Sequence, residues 1–235
     1  MKVPLFTLYQ PTMKNYFFYI LIGFLAVNGT ANAQDGIKLG FNAGATYSSI
    51  RGNEMANRTE AAVDFLAGVS VEYPFTERLS ILANLNFERK SYTGKGYFDA
   101  FDGNFDPIVQ DPAFMTGYKI RGTLNYTTLP VNVKYYLNAN RSFYINGGPY
   151  VGFFLSETFK ANGRRQAENN DMFKTMDLGL NLGVGTSIAV NDNSVLNIEL
   201  RDCLGLINIS KAPVINDDTL KTNSLQLIVG WQFSL

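Results

Sequence analysis

The chain has 235 residues, 46% hydrophobic, 14% aromatic and only 17% charged, and its 20 basic and 20 acidic side chains cancel to a formal charge of zero. Without a basic excess there is no electrostatic case for nucleic acid as a partner. There is no histidine, which removes His-dependent Ser or Cys triads, His general bases and His-ligated metals together, and the single cysteine, Cys203, leaves no intramolecular disulfide.

In chain order, residues 13–33 come first, with Lys14, an apolar run over 16–27, and then Ala31, Asn32 and Ala33. A basic start, an apolar centre and an A-x-A site read as a secretory signal peptide, so 1–33 is set apart from a domain at 34–235. The apolar run is about a dozen residues, short of the roughly 20 that a helical span needs. Residues 1–12 read as an upstream extension with Met13 a candidate start, and no cysteine follows the cleavage site to carry a lipid anchor. No later stretch approaches roughly 18 apolar residues, so any membrane crossing is made by strands.

The first strand, 37–49, alternates Ile37, Leu39, Phe41, Ala43, Ala45 and Tyr47 with Lys38, Gly40, Asn42, Gly44, Thr46 and Ser48. The second sets Val63, Phe65, Ala67, Val69, Val71 and Tyr73 against Asp64, Leu66, Gly68, Ser70 and Glu72, and a short turn follows at 74–78. The third, 79–92, sets Leu79, Ile81, Ala83, Leu85 and Phe87 against Ser80, Asn84, Asn86, Glu88 and Lys90. Leu82 breaks the pattern, and Arg89 on the apolar parity is placed to snorkel into headgroups. Residues 91–121, rich in Gly, Asp, Phe and Pro, read as a long surface loop and a candidate for function. A hairpin follows over 126–155, YTTLPVNVKYYL then NANR then SFYINGGPYVGFFL, alternating in both arms. Residues 160–175 read as a polar loop. The sixth strand, 176–190, opposes Leu178, Leu180, Leu182 and Val184 to Asp177, Gly179, Asn181 and Gly183. The seventh opposes Leu196, Ile198 and Leu200 to Asn197, Glu199 and Arg201. The last opposes Leu225, Leu227, Val229, Trp231, Phe233 and Leu235 to Ser224, Gln226, Gly230, Gln232 and Ser234.

Eight strands emerge, and their connections alternate long and short. The short ones at 74–78, 138–141 and 191–194 would be periplasmic turns and the four long ones extracellular loops, as in an all-β, antiparallel up-and-down transmembrane barrel. A soluble lipocalin-like lipid carrier has the same alternation turned inside out. Its water-facing set would be mostly Gly and Asn, poorer in charge than the roughly 25–35% typical of a soluble surface.

Eight strands enclose a lumen just wide enough to be filled by side chains. Lys38, Asp64, Glu72, Glu88, Lys90, Lys134, Asp177, Glu199 and Arg201 take the inward parity. Such charges must pair or meet water, and a structural salt-bridge plug is the expectation, with a narrow porin for small solutes as the alternative. Lys38, Glu72 and Lys134 fall near the periplasmic end, Asp64, Glu88 and Lys90 near the outer end. Phe98, Phe101, Phe105 and Phe114 form a candidate partner patch in the long loop or pack across the barrel mouth. Asp99, Asp102, Asn104, Asp106 and Asp111 make that loop acidic, but Pro107 and Ala113 replace the glycine and the bidentate acid of a calcium loop. Arg164 and Arg165 are placed to meet lipid phosphates or water. Gly183 and Gly185 open no complete nucleotide fingerprint and instead thin the lumen wall. No catalytic, cofactor-binding or metal site is expected. The expected partners are outer-membrane lipids and lipopolysaccharide, the barrel assembly machinery and a protein partner at the extracellular loops.

The segments TTLPVNVKYYL, FYINGGPYVGFFL and DLGLNLGVG, with GLINIS at 205–210, resemble the PorT-like family of outer-membrane β-barrel proteins over most of 37–235. The resemblance implies an eight-stranded barrel in the outer membrane and, through the founding member, an association with protein secretion. Many such barrels end on an aromatic that the assembly machinery reads, whereas here Phe233 is third from last and Leu235 terminal. The function expected is therefore a non-enzymatic integral outer-membrane protein with a structural, loop-display or secretion-accessory role.

Overall fold

The computed structural model describes residues 36–53, 56, 58–99, 115–166, 170–211 and 219–235. Its strands are β1 (Lys38–Arg51), β2 (Thr59–Pro74), β3 (Leu79–Asp99), β4 (Met115–Tyr136), β5 (Phe143–Ala161), β6 (Arg164–Arg165), β7 (Met176–Asn191), β8 (Ser194–Gly205) and β9 (Lys221–Ser234), with one 3-10 turn at Asn170–Met172. The order β4-β3-β2-β1-β9-β8-β7-β5, together with a β4–β5 pairing, closes eight strands into an antiparallel barrel, and β6 is only a hairpin return on β5. Closure leaves no open edge among the spanning strands, the condition for a sheet in lipid.

The alternation decides which face looks out. Phe41 and Leu182 are each 67% exposed, whereas Glu72 and Asp177 are 0% exposed. Apolar side chains therefore cover the outside and polar ones fill the inside. This overturns the soluble, lipocalin-like alternative, whose apolar set would line a cavity. Leu82, the exception in β3, is buried in the lumen with Leu66 and Ile228.

Strand lengths carry a second finding. β3, β4 and β5 have 21, 22 and 19 residues, against 14 in β1 and 12 in β8. A tilted span takes roughly 9 to 11 residues, so this part of the wall continues well past the bilayer. The loop expected at 91–121 is accordingly much shorter, because β3 runs to Asp99, paired with Met115 at the start of β4. Glycine conceals this extension in the sequence. Tyr92 faces Gly122, Gly94 faces Ile120, Gly96 faces Tyr118 and Tyr97 faces Gly117. Gly94 and Gly122 each receive a large side chain from the facing strand, so the period is broken along either strand while the pairing is sound. The Tyr92 ring lies directly over Gly122.

The expected polar loop at 160–175 also contains structure. Asn162 and Gly163, at φ 47° and 77°, make the two-residue turn that joins β5 to β6. At the opposite end the turns at 75–78 and 137–142 are tied together by Arg141 Nε, which donates to the Glu77 carbonyl at 2.7 Å. The Leu235 amide donates to the Ile37 carbonyl at 3.0 Å, which brings the end of the chain beside the start of β1.

Candidate functional site

The inward set condenses into two tiers. In the tier nearer the short turns, Lys134 Nζ lies 2.9 Å from Glu72 Oε2, and the Tyr136 hydroxyl donates to Glu72 Oε1 at 2.7 Å. Lys38 stands opposite Glu72 in the β1–β2 register. The Lys134 ammonium also sits over the Tyr144 ring, 4.1 Å from its centroid, and the Tyr144 hydroxyl donates to Glu199 Oε2 at 3.0 Å. Arg201 Nε closes on Glu199 Oε1 at 2.6 Å. Glu72, Lys134, Glu199 and Arg201 are all buried, so these are desolvated pairs whose partners depend on one another.

In the tier nearer the long connections, Lys90 Nζ lies 3.0 Å from Asp177 Oδ2, and Thr222 Oγ1 donates to the same oxygen at 2.7 Å. Lys90 is also over the rings of Tyr150 and Tyr126, at 4.8 and 5.3 Å. Glu88 accepts from Ser224 Oγ at 3.1 Å and Gln226 Nε2 at 2.8 Å. Eight of the nine expected inward charges thus occupy the lumen. Asp64 belongs elsewhere: a bulge between Ala62 and Leu66 brings its carboxylate to Arg89, at 3.2 Å, and Arg121, at 3.1 Å, with Arg89 stacked over Phe65 on the outer wall. Arg89 is therefore anchored by a carboxylate rather than merely snorkelling.

Glycines make room for the lumen rings. The Tyr144 ring fills the place of a side chain on Gly185, the Tyr150 ring that on Gly179, and the Asn146 and Glu199 side chains crowd Gly183. A lumen cavity of about 30 Å³ remains, bordered by Asn42, Asn84, Lys134, Tyr144 and Arg201. That is space for one or two waters. Asn42 Oδ1 and Arg201 Nη1, which have no partner among the described residues, offer them hydrogen bonds.

A second seal lies above the upper tier. Leu124, Tyr126, Phe173 and Ile209 form a buried apolar cluster, with Phe154 and Leu220 packed against it. Phe173 and Ile209 come from the connections after β5 and β8, which pair through Phe173 and Ser210 and through the Lys174 amide on the Ile209 carbonyl at 2.7 Å. The described parts of two long connections therefore meet over the mouth. The aromatics expected to play this part, Phe101, Phe105 and Phe114, lie outside the described residues, as do Asp102, Asn104, Asp106 and Asp111, and Phe98 is placed by its backbone alone near the end of β3. Cys203 is buried and free. Among the described residues no group of three or more acidic or thiol side chains is placed to hold a metal ion.

Residues 28–211 match the outer membrane protein beta-barrel domain. The chain belongs to that family. It is thereby an outer-membrane β-barrel protein, as its inside-out polarity requires. No curated protein matches it in sequence. Similar solved structures include Ail, the attachment invasion locus protein of Yersinia pestis, with 13% identity, 85% of this chain and 99% of Ail covered, and a TM-score of 0.41. OprG from Pseudomonas aeruginosa has 16% identity over 86% of this chain and 96% of its own, with a TM-score of 0.40. The outer membrane protease OmpT from Escherichia coli has 11% identity over 88% and 99%, with a TM-score of 0.37.

Proposed function

We propose that this chain is a non-enzymatic barrel of the outer membrane that holds its wall closed and displays its long connections outside the cell to a protein partner, as an accessory to secretion. The observation that carries this reading is the sealed lumen. Lys134–Glu72 and Lys90–Asp177 join non-neighbouring strands through it and Arg201–Glu199 fills it from β8, all as buried ion pairs, with the apolar cluster around Phe173 and Ile209 above them. A lumen so occupied offers a solute no path, and its acids are committed to cations, hydroxyls and amides rather than poised for acid–base work. Without histidine, the remaining nucleophilic and metal chemistries lack their usual partner.

The short turns then face the periplasm, together with both ends of the mature chain after removal of 1–33. Lipids and lipopolysaccharide surround the apolar wall, and the barrel assembly machinery inserts it. The likeness of the 126–155 hairpin and of GLINIS at 205–210 to the PorT-like family supports the link to secretion.

Conductance in planar bilayers tests the reading. The refolded protein is expected to give no sustained current steps in salt at neutral pH. Discrete, reproducible steps from protein free of contaminating porin would overturn it in favour of a narrow pore.

A further inference from the structure

Beyond the bilayer the β3–β5 wall carries a charge pattern that neither the lumen nor the apolar belt explains. Alternation puts Lys90, Leu124 and Glu157 on one face of this sheet and Lys95, Lys119, Arg121 and Lys160 on the other, outer face. The register sets them directly against each other. Lys95 stands opposite Lys119 and Arg121 opposite Lys160, which in turn stands opposite Arg165 on β6. Lys95, Lys119, Lys160, Arg164 and Arg165 are exposed. Like charges directly opposite in a sheet, with Cβ atoms roughly 5 Å apart, destabilise it unless an anion lies between them. Among the described residues two acids lie nearby. Asp64 is already held by Arg89 and Arg121, and Glu60 faces Thr93 at the far end of the Arg121 row.

The height of this patch identifies the anion. Arg121 Nη2 donates to the Val63 carbonyl at 2.7 Å, and the Val63 side chain is 61% exposed as the top of the apolar belt on β2. The patch therefore starts at the rim of the belt and rises two residues, roughly 7 Å along the strand. In the outer leaflet that level is occupied by the phosphates on the sugar headgroup of lipid A, with acyl chains below them against the belt. We propose that Lys95, Lys119, Arg121 and Lys160 form a docking surface for the phosphorylated headgroup of lipopolysaccharide. The inference rests on the orientation given under Proposed function, with the long connections outside. Arg121 keeps its bond to Asp64 and turns its remaining donors to the phosphate, while the three lysines supply point charges.

The test titrates folded protein in detergent micelles with purified bis-phosphorylated lipid A, with the same lipid dephosphorylated, and with inorganic phosphate. The Lys95→Gln, Lys119→Gln, Lys160→Gln triple variant is compared with wild type and with Lys211→Gln, an exposed lysine after β8. Each basic residue near an anionic lipid surface contributes about fivefold in affinity, so the triple variant is expected to bind phosphorylated lipid A about a hundredfold more weakly. Lys211→Gln is expected to bind as wild type, and the dephosphorylated lipid as weakly as the triple variant binds the phosphorylated one. Equal binding of the triple variant, equal binding of the dephosphorylated lipid, or displacement by millimolar inorganic phosphate would overturn the proposal. Heat modifiability on a gel separates this from failure of the barrel reading. The unboiled triple variant should still migrate faster than the boiled one, and loss of that shift in wild type would defeat the barrel itself.

Discussion

Replacing Lys134 by Met removes one partner of an ion pair in which Lys134 and Glu72 are 1% and 0% exposed and 2.9 Å apart. The Glu72 carboxylate would keep the Tyr136 hydroxyl but lose its nearest cation. Leaving such a charge buried costs about 3–5 kcal/mol. Lys38, opposite Glu72 on β1, is a second cation at the same end that can swing toward the orphan, which places the expected loss near 3 kcal/mol rather than 5. Lys38→Met together with Lys134→Met should therefore cost more than the two changes added separately. Glu72→Leu with Lys134→Met removes both charges, and it should recover about 2 kcal/mol or more relative to the sum of the single changes. Urea unfolding of protein refolded into lipid vesicles, followed by the fluorescence of Trp231, the single tryptophan, gives these values. A Lys134→Met loss below about 1 kcal/mol, or strict additivity in the Glu72 double, would refute the view that the tier is a desolvated, interdependent network.

Three further outcomes follow from the same geometry. Gly185→Val pushes a side chain into the volume held by the Tyr144 ring and should destabilise by about 1–3 kcal/mol, with Tyr144→Ala relieving part of that loss in the double variant. Phe173→Ala should cost about 3 kcal/mol and raise hydrogen exchange at 206–211 while leaving conductance absent, because both charged tiers lie beneath it. Leu182→Arg places a charge on the lipid face at a residue 67% exposed and should cost about 2–4 kcal/mol in vesicle unfolding, against a small effect for Leu182→Ile.

Much of the fold was legible because a strand with one face in lipid and one in a polar lumen must alternate at every residue. The parities of Phe41, Val63, Leu182 and Leu227 on one side and of Asn42, Glu72, Asn181 and Gln226 on the other needed nothing beyond the sequence. The β3–β4 extension was not legible, since Gly94, Gly96, Gly117 and Gly122 interrupt the alternation, and the side chains that fill in at Gly94 and Gly122 lie on the facing strand. The Asn162–Gly163 turn did carry a local signal, a pair suited to two positive φ angles, although it sits within a polar stretch that reads as a loop.

The candidate site was legible by composition but not by pairing. Lys90 and Asp177 stand on β3 and β7, which are not neighbours in the sheet, so their contact depends on barrel closure and strand stagger rather than spacing. The neutral members Tyr136 and Tyr144 escaped for the same reason: their inward parity was readable, but the carboxylate each hydroxyl meets stands on a non-neighbouring strand. Tyr150, by contrast, reaches Asp177 diagonally on the adjacent β7, and Thr222 precedes the last strand as read from the sequence. Asp64 was misplaced because a bulge redirects it, and no residue type in β2 announces the extra position.

A nitroxide scan of β9 reads the polarity of the barrel wall and the filling of its lumen together, with one label at a time from Ser224 to Gln232 in vesicles and collision rates measured for oxygen and for a water-soluble nickel reagent. Oxygen maxima are expected at Leu225, Leu227, Val229 and Trp231, which face lipid, and low accessibility to both reagents at Ser224, Gln226, Ile228 and Gln232, which face a filled lumen. High collision with the nickel reagent at Gln226 and Gln232 would mean a water-filled passage, and a reversed alternation would mean that the apolar face is not in lipid.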